Sequence, residues 1–354
     1  MTDIDLSWEY STKYDFFISL SVLMNPERFN IRATWAAGVR SRIPATERQL
    51  LKTIHSHFSI PAAWCYQLAV PAASGEDLLT HIQAIPDEDI LPALFMQTPQ
   101  EKEIRELLLR IASEGIWQEE DLQKLRQRFQ QNLILNKPIE TKALASSFRC
   151  LPETGALYKK ALASYYNTFF REEEARILPY LKNSLEQGKQ IAKHQPLLTL
   201  IETLSHGLTL QAAPDFKHLV IAPSYWITPL VSYVHISAEK VILLHGCRPM
   251  HETVVPGELI SPVLLQALKA LADPTRLKIV KLLLRAPLSP KVIADQLRLR
   301  PPTVIHHLQI LRSSGLVHVM LNEAEERLYS MESSALRGFV DDLGVFLFSD
   351  TQHE

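Results

Sequence analysis

"PPTVIHHLQILRSSGL", residues 301–316, carries the side chains of this 354-residue chain whose types and spacing most plainly suit a chemical task. Unrolled as a helix at about 100° per residue, Val304, His307, Leu308 and Leu311 fall in one sector and Pro302, Ile305, His306, Gln309 and Ser313 in the other. The first set can build a core. The second offers hydrogen-bonding groups and a small apolar contact, which is what reads base edges when a helix enters a major groove. A merely solvated helix presents the same types, so charge has to separate the two readings. Between Lys269 and Arg312 nine Lys or Arg stand against two acids, Asp273 and Asp295, a local balance of +7 in a chain of net charge −2. Lys278, Lys281 and Arg285 lie three and four apart, so they share a helix face that can run along phosphates and release counterions. Double-stranded DNA is the partner these residues suit. Arg300, Thr303, His306 and Gln309 are expected near bases, and Lys278, Lys281, Arg285, Arg312 and Arg327 near phosphates.

Other chemistry-bearing groups are sparser. His245, Cys247 and His251 in "HGCRPMH" are ligand-capable and close together, which makes them a candidate metal site, although three such side chains in one loop are a common coincidence. Tyr225, Trp226 and Tyr233 in "SYWITPLVSYV" could line a site for a small organic effector, and core packing is the simpler account of them. His55 and His57 in "HSH", the acids of "DEDI" and the Glu172–Glu174 triplet are the only clusters suggestive of catalysis. The triplet reads as a solvated helix face, and no GxSxG accompanies any histidine. Neither GxGxxG nor GxxxxGK[ST] occurs, and glycine occupies only 11 positions, so a nucleotide fold is not expected. No enzyme activity and no cofactor are expected.

Composition bounds the setting. The three cysteines, Cys65, Cys150 and Cys247, are far apart and never spaced as CxxC, which points to a reducing, cytoplasmic location rather than a disulfide framework. The opening "MTDIDLSWEYSTKYD" has acids where an export signal has a basic run, so export is not expected. Leu219 to Ser237 is free of Asp, Glu, Lys and Arg over about the length of a membrane span. Pro223 and Pro229 interrupt it and β-branched and aromatic residues dominate, so it reads as two buried strands.

The elements that must position these residues fall into two parts. Up to about residue 210 the apolar spacing is helical: Thr46 to Phe58, Gly75 to Ile85, "EKEIRELLLRIASEG" ending at Gly115, Glu119 to Leu135, and a long run from Glu153 to His194 with a kink or break at Pro179. "KHLVIAP", "LVSYVHIS" and "KVILLHG" then read as three short strands. We therefore expect a mainly α (α+β) chain: a helical bundle over 1–212 as effector or partner domain, a small β-sheet segment over 213–250 completing it, a linker over 251–258, and a compact domain over 259–348. That domain is expected to run helix (Leu259 to Ala272), helix (Pro274 to Leu284), short helix (Ser289 to Leu297), helix (Pro302 to Ser314), a hairpin of "LVHVML" and "RLYSM", and a last helix (Ser333 to Phe348). Asp273-Pro274 and Ser289-Pro290 are each an N-cap followed by proline at the first helical position. Three helices followed by a hairpin make a winged helix-turn-helix. The acidic "NEAEE" at the tip of its wing suits phosphates poorly, and only Arg327 is placed to help.

The segment "LKALADPTRLKIVKLLLRAPLSPKVIADQLRLRPPTVIHHLQILRSSGLV" resembles the ArsR-type winged-helix transcriptional regulators, in its "ALADPTRL" helix, its "SPKVIA" positioning helix and its "TVIHHLQILRSSGLV" recognition helix. Ile305 stands where that family often has Ser, and Pro301 where Gln or Ser is usual, which implies different contacted bases. The metal-sensing members are less similar, since "PKVIADQL" lacks their cysteine pair and "SSALRGFVDDLGVFLF" lacks a His/Asp array. "YDFFISLSVLMNPERF", Trp35 and "LVIAPSYWITPLV" resemble a subgroup with a large N-terminal region of unassigned role. The resemblance implies a homodimer with the first and last helices of the winged domain packed across a two-fold axis. Leu336, Phe339, Val340, Leu343, Phe346 and Leu347 supply a wide apolar surface on the last of them. The expected function is a sequence-specific DNA-binding regulator, an effector-responsive repressor acting as a dimer. The competing reading is a protein–protein interaction module whose winged domain serves dimerisation alone.

Overall fold

The computed structural model describes residues 4–29, 31–58, 60–68, 74–95, 102–131, 140–204, 216–228, 231–249, 252, 262–321, 327–331 and 333–348. At its centre is the helix Thr12–Met24, capped by the Ser11 hydroxyl, which accepts from the Lys13 N–H at 3.2 Å. Apolar residues surround its axis, and every residue in it is buried, Lys13 and Asp15 included. The helices Ala45–His57 and Leu151–Tyr165 pack beside it. Their joint carries His55, whose Nδ1 lies 3.3 Å from the Ser21 hydroxyl and Nε2 3.0 Å from the Tyr158 hydroxyl, with the ring stacked between Phe17 and Tyr158. Around this centre run the helices Ala33–Ser41, Ala62–Gln67, Gly75–Ala84, Ile90–Phe95, Lys102–Glu114, Glu119–Gln131 and Thr141–Arg149. Gly75–Ala84 starts in a capping box between Ser74 and Asp77. Residues 132–135, included in the expected Glu119 to Leu135 helix, lie outside the described residues.

The long helical run breaks its register away from its proline. Leu151–Tyr165 passes into a π-turn at Tyr166–Phe170 and then into the helix Arg171–Ala192, which continues through Pro179. The wide turn suits four aromatic residues that crowd one side: Tyr165, Tyr166 and Phe170 are buried and Phe169 packs against Trp35 and Trp226.

Among the described residues the expected three strands are joined by a fourth. β1 (Asp5–Trp8) pairs in parallel with β2 (His218–Ser224), β2 pairs in parallel with β4 (Lys240–Gly246), and β3 (Val231–His235) lies antiparallel to β4 at the edge. The central strands are covered on both sides, as parallel strands usually are. Val220, Ala222, Ile242 and Leu244 face the bundle core; Leu219, Ile221, Val241 and Leu243 face a second cluster built on the helix Leu197–Leu204. The charge-free stretch holds the two expected strands, but only β2 is buried while β3 at the sheet edge is half-buried, and no helix among the described residues is long and apolar enough to cross a membrane.

A third apolar cluster, running from Ala267 to Met331, belongs to the C-terminal part. Its helices are Pro262–Leu271, Pro274–Leu283, Pro290–Leu297 and Pro301–Ser313, followed by the hairpin β5 (His318–Leu321) and β6 (Arg327–Ser330) and the helix Ser333–Phe348. Leu288 pairs with Tyr329 through two hydrogen bonds of 2.9 Å, which adds a third strand position to the hairpin. This is a winged helix-turn-helix.

Candidate nucleic-acid interface

The helix Pro301–Ser313 begins with two prolines, which remove N–H groups that would have no partner in a first turn. Val304, Leu308 and Leu311 are fully buried and His307 half-buried, while Arg300, Pro302, Thr303, Ile305, His306 and Gln309 are exposed. The division expected from spacing therefore holds, with one change. Ser313 is tied down: its hydroxyl accepts from Gln266 Nε2 at 2.9 Å and donates to the Ile310 carbonyl at 3.0 Å, so it braces the first helix rather than facing outward.

Two caps set the pitch of the helices below it. The Asp273 carboxylate accepts from the Arg276 N–H at 2.8 Å, and the Ser289 hydroxyl from the Val292 N–H at 3.4 Å. That backbone hydrogen bond holds the Asp273 carboxyl below the usual carboxylate range. His307 sits 4.0 Å from the same carboxylate, yet burial lowers its pKa. The turn between positioning and recognition helices is closed by Arg298 at φ 55°, with Leu299 N–H donating to the Ala294 carbonyl at 2.9 Å. Gly315 (φ 74°) ends the recognition helix the same way, with Leu316 N–H bonded to the Leu311 carbonyl at 3.1 Å.

The basic surplus divides into two groups. Arg276 is structural, since Nε donates to the Ala270 carbonyl at 2.5 Å and Nη2 to the Lys269 carbonyl at 2.9 Å, closing the end of the preceding helix. Lys278, Lys281, Arg285, Arg300 and Arg312 are exposed and hold no ion pair among the described residues. Exposed cations in the same domain as an exposed polar helix face are what phosphate contact requires. The Arg327 side chain and the acidic run 322–326 lie outside the described residues.

Residues 273–319 match the family described as "Bacterial regulatory protein, arsR family". These residues are an arsR-family helix-turn-helix domain. The match runs from the Asp273 cap through three helices into β5, and the domain sits within a larger protein. An arsR-family domain implies DNA binding and transcriptional regulation. No curated protein matches the chain.

Among the remaining sequence candidates, the aromatic set is not brought together. Tyr225 and Trp226 are buried against the bundle, Trp226 stacked on Trp35, whereas Tyr233 packs with Phe216 in the cluster on the opposite side of the sheet; the three do not line one site. His245 is buried on β4, Cys247 follows it with its thiol pushed up by burial, and His251 lies outside the described residues. Burial pushes the His55 imidazole down to about 3, and His57 is lowered for the same reason while its Nδ1 contacts the Thr53 carbonyl at 2.7 Å. The Glu172–Glu174 triplet is corrected. Only Glu172 is solvated; Glu173 accepts from Trp226 Nε1 at 2.9 Å and pairs with Arg176, and Glu174 accepts from the Gly75 N–H at 2.7 Å. Spacing alone could not reveal these partners, which come from residues 53 and 99 positions away.

Proposed function

We propose that the chain is a cytoplasmic, dimeric, effector-responsive repressor that reads a specific operator through its arsR-family domain. The observation that carries this reading is the exposed face of the recognition helix, with Arg300, Thr303, His306 and Gln309 open, together with the exposed cations Lys278, Lys281, Arg285 and Arg312 of the same domain, which hold no ion pair among the described residues. In this reading the four former residues approach base edges, while the cations, joined by Arg327, approach phosphates. The part preceding the linker at 251–258, with its bundle over 1–212 and sheet segment over 213–250, acts as the effector or partner domain and carries no catalytic step.

The terminal helix supports the dimer. Leu336 and Phe339 pack on the domain's own core, but Val340 (57 %), Val345 (55 %), Leu347 (57 %) and Phe348 (67 %) are left exposed. Pairing two copies would place two recognition helices on successive half-sites about 34–36 Å apart, and a change in that spacing would weaken binding. A protection footprint on the DNA upstream of the chain's own gene tests the proposal. Two half-sites related by a dyad, about one helical turn apart, are expected; a single unpaired site or uniform protection overturns it.

A further inference from the structure

Tyr225 lies directly after β2, and Arg248 lies two residues beyond β4. These are the carboxyl ends of neighbouring parallel strands, where open α/β sheets hold their ligands. Two guanidinium groups approach the buried Tyr225 ring, Arg176 at 4.6 Å and Arg248 at 5.6 Å from its centre. The Tyr225 hydroxyl accepts from Arg176 Nη1 at 2.8 Å, which directs its own proton outward. It donates that proton to Glu252 Oε2 at 3.2 Å, and the Tyr180 hydroxyl donates to Oε1 of the same carboxylate at 2.8 Å. One planar carboxylate thus receives a phenol on each oxygen, in basic and aromatic surroundings.

The charges around it call for an anion. Arg176 is already held by both oxygens of Glu173. Arg248 is only 7 % exposed; its backbone N–H and Nη2 go to Thr228, and its Nε has no hydrogen-bond partner among the described residues. Burial lowers the Arg248 pKa, and Tyr225 and Glu252 oppose that shift. A buried guanidinium with an unused donor is costly unless negative charge stands close by. Glu252 supplies that charge, yet in sequence it lies between β4 and the first helix of the winged domain rather than within the bundle or the sheet.

We infer that Tyr180, Tyr225, Arg176 and Arg248 form a binding site for a small carboxylate ligand, which Glu252 occupies as an internal stand-in. A ligand carboxylate and Glu252 compete for the same donors. Ligand entry therefore displaces the Glu252 carboxylate, which precedes the arsR-family domain in sequence. A regulatory consequence of that displacement rests on the effector-responsive reading; the binding itself does not.

The test uses the full-length Glu252→Ala protein, titrated with acetate, benzoate and inorganic phosphate in separate calorimetric experiments and followed in parallel by tryptophan fluorescence. The better of the two carboxylates is expected to bind saturably, at least tenfold more tightly than to the unsubstituted chain, and more tightly than tetrahedral phosphate. Adding Tyr180→Phe, which removes one donor at a half-buried position and leaves buried Arg248 in place, is expected to weaken that binding several-fold. The inference is overturned if Glu252→Ala binds neither carboxylate more tightly than the unsubstituted chain. It is equally overturned if phosphate binds as well as the carboxylates, or if Tyr180→Phe changes nothing. No DNA is present, so the outcome does not depend on whether the chain recognises an operator.

Discussion

Gln309 and Lys281 are both exposed, but they would serve a duplex differently. A base contact discriminates, so Gln309→Ala should lose about 1–3 kcal/mol of preference at one base position. A phosphate contact does not, so Lys281→Ala should weaken all sequences alike and lower the salt slope by about one for each copy bound, about two for a dimer. Competition binding against a panel of single-base operator variants separates the two patterns, and equal losses across the panel for both would deny Gln309 its base. Asp15 offers a prediction in pH. It accepts from the Trp226 N–H and the Ser224 hydroxyl, each at 2.8 Å, while Oδ2 has no hydrogen-bond partner among the described residues. Burial pushes its carboxyl up to about 7, against about 3.9 in an unfolded chain. Between those values the folded state binds more protons, so this group's stabilising contribution is complete below about pH 4 and is lost as pH rises through 7. Asp15→Asn keeps the acceptor and removes the charge; its unfolding free energy should vary less between pH 4 and 7 than the unsubstituted chain's, and an identical profile would contradict this account. Nothing in "YDFFISL" marks Asp15 as buried, because its partners lie more than 200 positions away. The recognition helix was legible for the opposite reason: local spacing decides which side of a helix meets the core.

At the scale of elements, helix ends are where single substitutions act most clearly. Gly315 sits at φ 74°, and a Cβ there costs about 1–2 kcal/mol, so Gly315→Ala should lower the urea midpoint. Arg298 already accepts such a conformation at φ 55°, and Arg298→Gly should raise the midpoint or leave it unchanged. Gly155→Ala should be more damaging than either, because its added Cβ would lie 1.8 Å from the Asp87 carbonyl oxygen. The exposed apolar side of Ser333–Phe348 predicts that Val340→Glu with Leu347→Glu converts a dimer to a monomer in sedimentation at micromolar concentration; a dimer that persists would place the contact elsewhere. The elements that could be read in the sequence were those with local periodicity or caps, such as Gly75–Ala84 and the five winged-domain helices. β1 could not be read, since four residues of half-exposed strand take their meaning from pairing with His218–Ile221. The register change at Tyr166–Phe170 was equally hidden, because aromatic crowding moved it there, while Pro179 is accommodated within its helix.

At the scale of the molecule, the described residues form three apolar clusters, two sharing the sheet and the third belonging to the winged domain. The open polar side of the recognition helix and the exposed cations of the same domain are expected to bind a duplex. The most direct test is the affinity of the full-length chain for DNA upstream of its own gene, measured from 50 to 200 mM salt against a shuffled duplex. With four to five phosphate contacts from each of two copies, affinity should fall by about 10³–10⁵ over that range. The upstream duplex should be preferred by about 10³ or more. Binding that ignores salt, or that favours neither duplex, would contradict the claim.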